Sequence, residues 1–150
     1  MSLHDINIAS LIPHAGSMCL LDSVERYDAQ CIACRASSHR DVHNPLRHAD
    51  QLSVQAGIEY AAQAVAVHGA LLAQQKSSQA ITPQQGMIAV LTDVRWQMER
   101  LDDLPADLFI HAERLAELPQ GLHYRFYLQC EQRSLLEGEL IIALQTAVAA

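Results

Sequence analysis

One stretch of twenty residues near the middle of the chain constrains its fold more than any other feature. Residues 56–75, AGIEYAAQAVAVHGALLAQQ, are nearly all small or apolar and contain no proline. The stretch exceeds the length of an ordinary strand, and its alanine, leucine and glutamine residues favour an α-helix. A helix that is apolar almost all round is expected to be buried. It nevertheless carries one acidic residue, Glu59, near its start.

Most of the remaining chain has the pattern of β-strands. Two strand-like runs precede the helix around a turn near residues 28–30, and four runs follow it between residues 87 and 145. A short helix closed by Pro13 is predicted at the N-terminus. Consecutive strands joined by short turns predict an antiparallel sheet. The glycine and alanine side chains make the helix slim, which allows that sheet to curve around it. We therefore expect an α+β hotdog fold, with about six strands around one central helix, as a single domain over residues 1–150.

The charge balance excludes several classes of partner. The chain has 17 acidic and 10 basic residues, a formal net charge of −7, and no basic run. Such a surface repels nucleic acid and anionic lipid. The N-terminus lacks the basic and apolar segments of a signal peptide, and no apolar stretch reaches membrane-spanning length without a polar interruption. We expect a cytoplasmic protein that binds neither nucleic acid nor membrane.

Four cysteines raise the alternatives of disulfides or a metal site, because CIAC has the C-x-x-C spacing of a zinc knuckle. The surrounding residues favour a strand, where residues three apart point to opposite faces. No second C-x-x-C pair exists in the chain. Buried structural thiols are the preferred interpretation, and no metal site is expected.

Glu59 needs either a partner or a purpose, because a buried unpaired carboxylate is costly. Gln63 lies four residues further on, on the same helix face, and its amide can hydrogen-bond Glu59. One interpretation is a structural first-turn glutamate favoured by the helix dipole. The other is a general acid or base in a catalytic site.

Two segments, LIPHAGSMCLLDSV and GIEYAAQA, carry a family resemblance. Together they resemble the 3-hydroxyacyl-[acyl-carrier-protein] dehydratases of fatty-acid synthesis, whose pattern has a Pro-His element, a following strand, and a Glu-x-x-x-Gln on the central helix. The matching positions are Pro13 with His14, residues 20–24, and Glu59 with Gln63. The segments NPLR, GIEYAAQA and ERLDDLP give the closest resemblance, to the dehydratases of aryl-polyene clusters. The similarity covers nearly the whole chain.

This resemblance implies a mechanism and a set of partners. The substrate is a 3-hydroxyacyl thioester on the phosphopantetheine of an acyl-carrier protein, so the protein needs no cofactor or metal of its own. A histidine removes the proton alpha to the thioester, and Glu59 assists departure of the hydroxyl as water. Gly57 and Gln63 are the implied substrate-binding residues, with backbone N–H groups around Gly57 holding the thioester oxygen. A homodimer or higher even oligomer is implied, with the alternative of a related hotdog subunit as partner.

The identity of the base is the point at which the pattern departs from the family. The Gly-His-Phe-Pro-Gly loop of the better-known dehydratases is replaced here by HNPLRHADQLS. His14 is the first candidate, ahead of His48 and His43, and a chain without a catalytic histidine is the remaining alternative. His68 is predicted to be a structural residue, because it lies nine positions after Glu59 on the opposite helix face.

Two further expectations concern surfaces. The implied carrier protein is acidic, so a local basic patch is required, and the candidates are Arg40, Arg47, Arg95 and Arg100. Trp96 is predicted to lie in the core rather than in an acyl tunnel.

Three functions follow from the sequence. The first is dehydration of carrier-bound 3-hydroxyacyl chains. The second is a hotdog thioesterase, in which the helix carboxylate activates water and no histidine is needed. The third is a non-catalytic hotdog subunit that binds the carrier protein or an active dehydratase.

Overall fold

One helix and six strands form the framework of the protein in a computed structural model that describes residues 2–13, 16–76 and 86–144. Helix α1 spans Gly57–Lys76. The strands are, in chain order, β1 Ser23–Tyr27, β2 Cys31–Ala36, β3 Gly86–Trp96, β4 Leu108–Leu118, β5 Gly121–Cys130 and β6 Arg133–Leu144. The predicted helix over 56–75 is confirmed to within one residue at each end.

The six strands form one antiparallel sheet in the order β1-β2-β4-β5-β6-β3. The inner face of this sheet packs on α1, and the two elements share one hydrophobic core. The predicted hotdog fold is therefore confirmed. Because β3 pairs with β6, the strand that follows α1 lies at one edge of the sheet and β1 lies at the other.

The start of α1 is fixed by its cap and by a close approach to the sheet. The Ser53 hydroxyl accepts a hydrogen bond from the N–H of Gln55, and a 3-10 turn over Val54–Ala56 leads into the helix. A Cβ atom added at Gly57 would lie 2.8 Å from a methyl group of Leu128 and 2.8 Å from one of Leu136. Glycine thus lets the first turn of the helix contact β5 and β6 directly.

The predicted N-terminal helix takes the form of two separate 3-10 turns, Leu3–Asp5 and Ile8–Ser10. Ile6 and Asn7 between them are extended, which interrupts any longer helix. So short a segment gains little from helix formation alone, and its conformation follows its packing. The apolar side chains of Ile8 and Ile12 are buried in the core.

Edge strand β3 is exposed along almost its whole length. Its large apolar side chains Met87, Val90, Leu91 and Trp96 are all more than a third exposed. The predicted core position of Trp96 is wrong, since 44% of this residue is accessible. The sequence could not place Trp96 correctly because strand order, and not local pattern, puts β3 at an edge.

All four cysteines are free thiols, and the predicted buried position holds for two of them. Cys34 and Cys130 are buried, and Cys19 and Cys31 are half-buried. Cys31 and Cys34 lie on strand β2, with the odd spacing that separates them onto its two faces.

None of the helices in the described ranges combines the length and hydropathy that crossing a membrane requires. The predicted linker after the helix lies almost entirely in residues 77–85, outside the described residues.

Candidate active site

The carboxylate of Glu59 borders a small pocket of about 130 Å³ beside helix α1. The small side chains of Ala62 and Ala66, three and seven positions further along the same helix face, leave room for it. The residues that line the pocket are Pro13, Glu59, Ala62, Ala66, Gly86, Ile88 and Ile142. The pocket therefore lies between the helix, the N-terminal segment and the β3 edge of the sheet.

Gln63 is fully buried, and each end of its amide is bonded. Its Oε1 accepts from the N–H of Leu20 at 2.9 Å, and its Nε2 donates to the carbonyl of Met18 at 2.7 Å. The same Nε2 donates to Oε1 of Glu59 at 3.4 Å, which confirms the contact predicted from the i, i+4 spacing. Gln63 thus joins Glu59 to the segment that leads from the Pro-His element into the sheet.

The substrate-binding role predicted for Gly57 and Gln63 is not tested by these contacts and stays a prediction. The amide of Gln63 forms hydrogen bonds to the backbone of Leu20 and Met18 and to Glu59. The N–H of Gly57 already donates within the preceding turn, to the carbonyls of Val54 and Gln55. Both residues are seen to hold the first turns of α1 in place.

The three histidines proposed as the base are placed differently. His14 lies outside the described residues, but Pro13, which precedes it directly, lines the pocket with Glu59. His48 is exposed at a tight turn, and its backbone N–H and C=O both bond Gln51. His43 is also exposed. Neither His43 nor His48 is among the residues that line the pocket.

His68 is a structural residue, as its helix face predicted. It is fully buried, with Nδ1 against the hydroxyl of Tyr124 and Nε2 at 2.7 Å from the carbonyl oxygen of Asp28. Burial is the main cause that lowers its pKa. Burial likewise lowers the pKa of His39, whose Nε2 lies 3.2 Å from the carbonyl oxygen of Leu104.

Three of the four arginines proposed as a basic patch are engaged within the chain. Arg40 forms an ion pair with Asp107 at 2.6 Å, and Arg100 pairs with Asp102. That pairing holds the pKa of Asp102 well below its ordinary value. Arg47 donates to the carbonyls of His39 and Asp50. The ion pairs offset the positive charge of Arg40 and Arg100, whereas Arg47 keeps its charge, since carbonyl groups are neutral.

Comparison with known families decides what kind of protein carries this site. A family model described as ApeP-like, ApeP dehydratase, matches residues 6–148. The chain belongs to the ApeP-like dehydratase family. The resemblance to aryl-polyene dehydratases inferred from the sequence is thereby confirmed. No curated protein sequence matches the chain.

Solved structures agree on the fold. A chain of the dehydratase heterocomplex ApeI:P from Xenorhabdus doucetiae has a TM-score of 0.82 at 22% identity, over 94% of this chain and 92% of that one. A hypothetical thioesterase from Streptococcus pneumoniae, solved with coenzyme A, has a TM-score of 0.54 at 9% identity, over 85% and 88% of the two chains. The PaaI protein of Escherichia coli has a TM-score of 0.55 at 12% identity, over 80% of each chain. At such identities these likenesses concern the fold alone.

Glu59 and the apolar pocket beside it are suited to proton transfer on an apolar substrate. A carboxylate that borders a pocket lined with alanine, proline and isoleucine can act as a general acid or base on a substrate group held there. Sequence reasoning found Glu59 and Gln63. It gave no role to Tyr60, whose hydroxyl lies 2.7 Å from Oγ of Ser38, or to Asn44, whose Nδ2 donates to that hydroxyl at 3.1 Å. These two residues lie inside the quoted segments GIEYAAQA and NPLR, which was the available signal.

Proposed function

We propose that this protein dehydrates carrier-bound 3-hydroxyacyl thioesters to trans-2-enoyl thioesters in aryl-polyene-type synthesis. The observation that carries the proposal is the carboxylate of Glu59 beside the pocket, held by Gln63, in a member of a dehydratase family. The acyl chain arrives on phosphopantetheine, and the protein contributes acid–base groups from its own side chains.

The proposed reaction is an elimination. A base removes the proton from the carbon alpha to the thioester, the C–H electrons form the C2–C3 double bond, and the C3–O bond breaks. Protonated Glu59 donates to the departing hydroxyl, which leaves as water. His14 is the proposed base, because the residue directly before it lines the same pocket as Glu59.

The thioester oxygen gains negative charge as the alpha proton leaves. We place it near the N-terminus of α1, where the helix dipole and backbone N–H groups favour an anion. Gly57 assists by letting the first turn contact β5 and β6, which fixes the direction in which those groups point.

We further propose that a second hotdog chain, either a copy of this one or a related subunit, pairs along edge strand β3. Exposed apolar side chains and unpaired backbone groups on an edge strand favour such pairing. The heterocomplex among the similar structures supports a hotdog partner. A partner at this edge would lie beside the pocket, since Gly86 and Ile88 of β3 line it. The proposed setting is the cytoplasm, where the four free thiols would stay reduced.

The direct test incubates the purified protein, alone and with a hotdog partner, with a carrier protein bearing a short aliphatic or an aryl 3-hydroxyacyl chain. Mass spectrometry of the carrier is expected to report loss of one water. Glu59→Gln is expected to lower the rate by at least about 100-fold, because the amide cannot donate a carboxylic proton. Glu113→Gln, an exposed change on the outer face of the sheet, is the matched control and should retain full activity.

Two results would overturn the proposal. Release of the free carrier together with the unchanged 3-hydroxy acid would indicate a thioesterase. No change in mass with either substrate, in the presence of the partner, would indicate a non-catalytic subunit.

Val90→Lys is expected to separate the proposed oligomer, because it puts a charge on the exposed apolar face of β3. The measurement is the mass in solution by analytical ultracentrifugation. Leu115→Lys on interior strand β4 is similarly exposed and should leave the mass unchanged. Equal masses for the wild type and both variants would contradict pairing along β3.

A further inference from the structure

A series of buried and part-buried hydrogen bonds connects the loop before helix α1 with the carboxylate of Glu59. Asn44 donates from Nδ2 to the hydroxyl of Tyr60 at 3.1 Å. The Tyr60 hydroxyl lies 2.7 Å from Oγ of Ser38, and that Oγ lies 2.7 Å from the carbonyl oxygen of Leu20. The series therefore ends at the carbonyl of Leu20, the residue whose N–H donates to Gln63.

The direction of each bond in this series is fixed by chemistry. A carbonyl oxygen only accepts, so the single proton of Ser38 points at Leu20 and the Tyr60 hydroxyl must donate to Ser38. The amide of Asn44 is oriented by its Oδ1, which accepts from the N–H of Leu46. The donors of Asn44, Tyr60 and Ser38 thus point towards Leu20. The Leu20 N–H then donates to Oε1 of Gln63, and Nε2 of Gln63 donates to Glu59.

Most members of the series are shielded from solvent and from the pocket, and Ser38 is half-buried. Tyr60, Leu20 and Gln63 are fully buried, and Asn44 is 5% exposed. None of these four residues lines the pocket beside Glu59. Their effect on a substrate must therefore pass through Glu59 and the segment around Leu20.

We propose that Tyr60 and Asn44 are positioning residues for the dehydration, acting on Glu59 through Ser38, Leu20 and Gln63. This inference rests on the proposed function, since it presupposes that Glu59 transfers the proton. The Leu20 segment is bonded from both sides, by Ser38 at its carbonyl and by Gln63 at its N–H. Losing one side lets the segment shift, and Gln63 then presents its Nε2 to Glu59 in a changed geometry. Because Nε2 of Gln63 contacts Oε1 of Glu59, the position of the carboxyl group that transfers the proton depends on this geometry.

The chain offers a matched pair of buried tyrosines for the test. Tyr60→Phe removes the hydroxyl from the series, whereas Tyr124→Phe removes a hydroxyl that is equally buried but bonded to His68. Tyr60→Phe loses the bonds to Ser38 and Asn44, and Tyr124→Phe loses the bond to His68, so the stability of both variants is measured by denaturant unfolding beside the kinetics. In the carrier-bound assay, Tyr60→Phe is expected to lower kcat by about 10-fold with KM nearly unchanged, as for a misplaced catalytic group. Tyr124→Phe is expected to keep the wild-type kcat.

A second readout does not depend on activity. Hydrogen exchange at the Leu20 amide should be about fivefold faster in Tyr60→Phe and in Asn44→Ala, because one anchor of the segment is lost. The Tyr124→Phe variant should exchange at the wild-type rate there.

The outcomes separate this inference from the proposed function. An active wild type with equal kcat in both tyrosine variants overturns the positioning role and leaves the dehydratase assignment intact. A wild type that eliminates no water overturns the dehydratase assignment. Unchanged exchange at Leu20 in Tyr60→Phe overturns the connection itself, whether or not the protein is active.

Discussion

Replacing Gln63 with leucine is expected to destabilise the folded protein by about 2–4 kcal/mol and to remove most of the dehydratase activity. The Leu20 N–H would stay buried without its acceptor, and the Met18 carbonyl would lose its donor. A buried polar group left without a partner costs about 1–3 kcal/mol, while leucine fills nearly the same volume. Glu59 would also lose the amide that holds its Oε1.

Denaturant unfolding monitored by circular dichroism measures the change in stability, and the carrier-bound assay measures the change in kcat. Gln74→Leu on the same helix is the matched control, because Gln74 is only half-buried. Its effect should stay within about 0.5 kcal/mol. A Gln63→Leu protein with the stability and kcat of the wild type would mean that these bonds neither support the fold nor position Glu59.

The second large effect expected is a loss of stability in mild acid that depends on His68. Its Nε2–H donates to the Asp28 carbonyl, so Nδ1 accepts from Tyr124, and a second proton would meet the buried hydroxyl. Burial lowers the pKa of His68 in the folded state. In the unfolded chain a histidine titrates near its ordinary pKa of about 6.5. The unfolded state therefore binds more protons below that pH, and the free energy of unfolding falls as the pH drops, by up to about 1.4 kcal/mol per pH unit for one histidine.

The free energy of unfolding at pH 7.0 and pH 5.5 provides the measurement. In that window carboxylates such as Asp102, whose pKa is lowered in the folded state, remain ionised in both states and contribute little. His39 contributes in the same direction as His68. His68→Gln should reduce the pH dependence by up to one proton, and His43→Gln, at an exposed position, is the control. An identical pH dependence in all three proteins would show that His68 titrates alike in the folded and unfolded states.

The local pattern of the chain determined the helix, the strands and their antiparallel arrangement. Alanine, leucine and glutamine over residues 56–75 favour a helix by their intrinsic propensity, and its apolar circumference favours burial. The contact between Glu59 and Gln63 was also predictable, because residues four apart share a helix face regardless of the rest of the fold.

Only the tertiary structure decided which residues support Glu59. The other partners of Gln63 are Met18 and Leu20, which lie more than forty positions earlier in the chain. Tyr60 and Asn44 have the ordinary appearance of an aromatic residue in a helix and a polar residue in a loop, and folding brings them to Ser38. The exposure of Trp96 likewise follows from the position of β3 at the sheet edge. The periodicity of a sequence specifies local conformation and the buried face of each element. Contacts between distant segments depend on how those faces pack, and in this protein such contacts position the candidate acid.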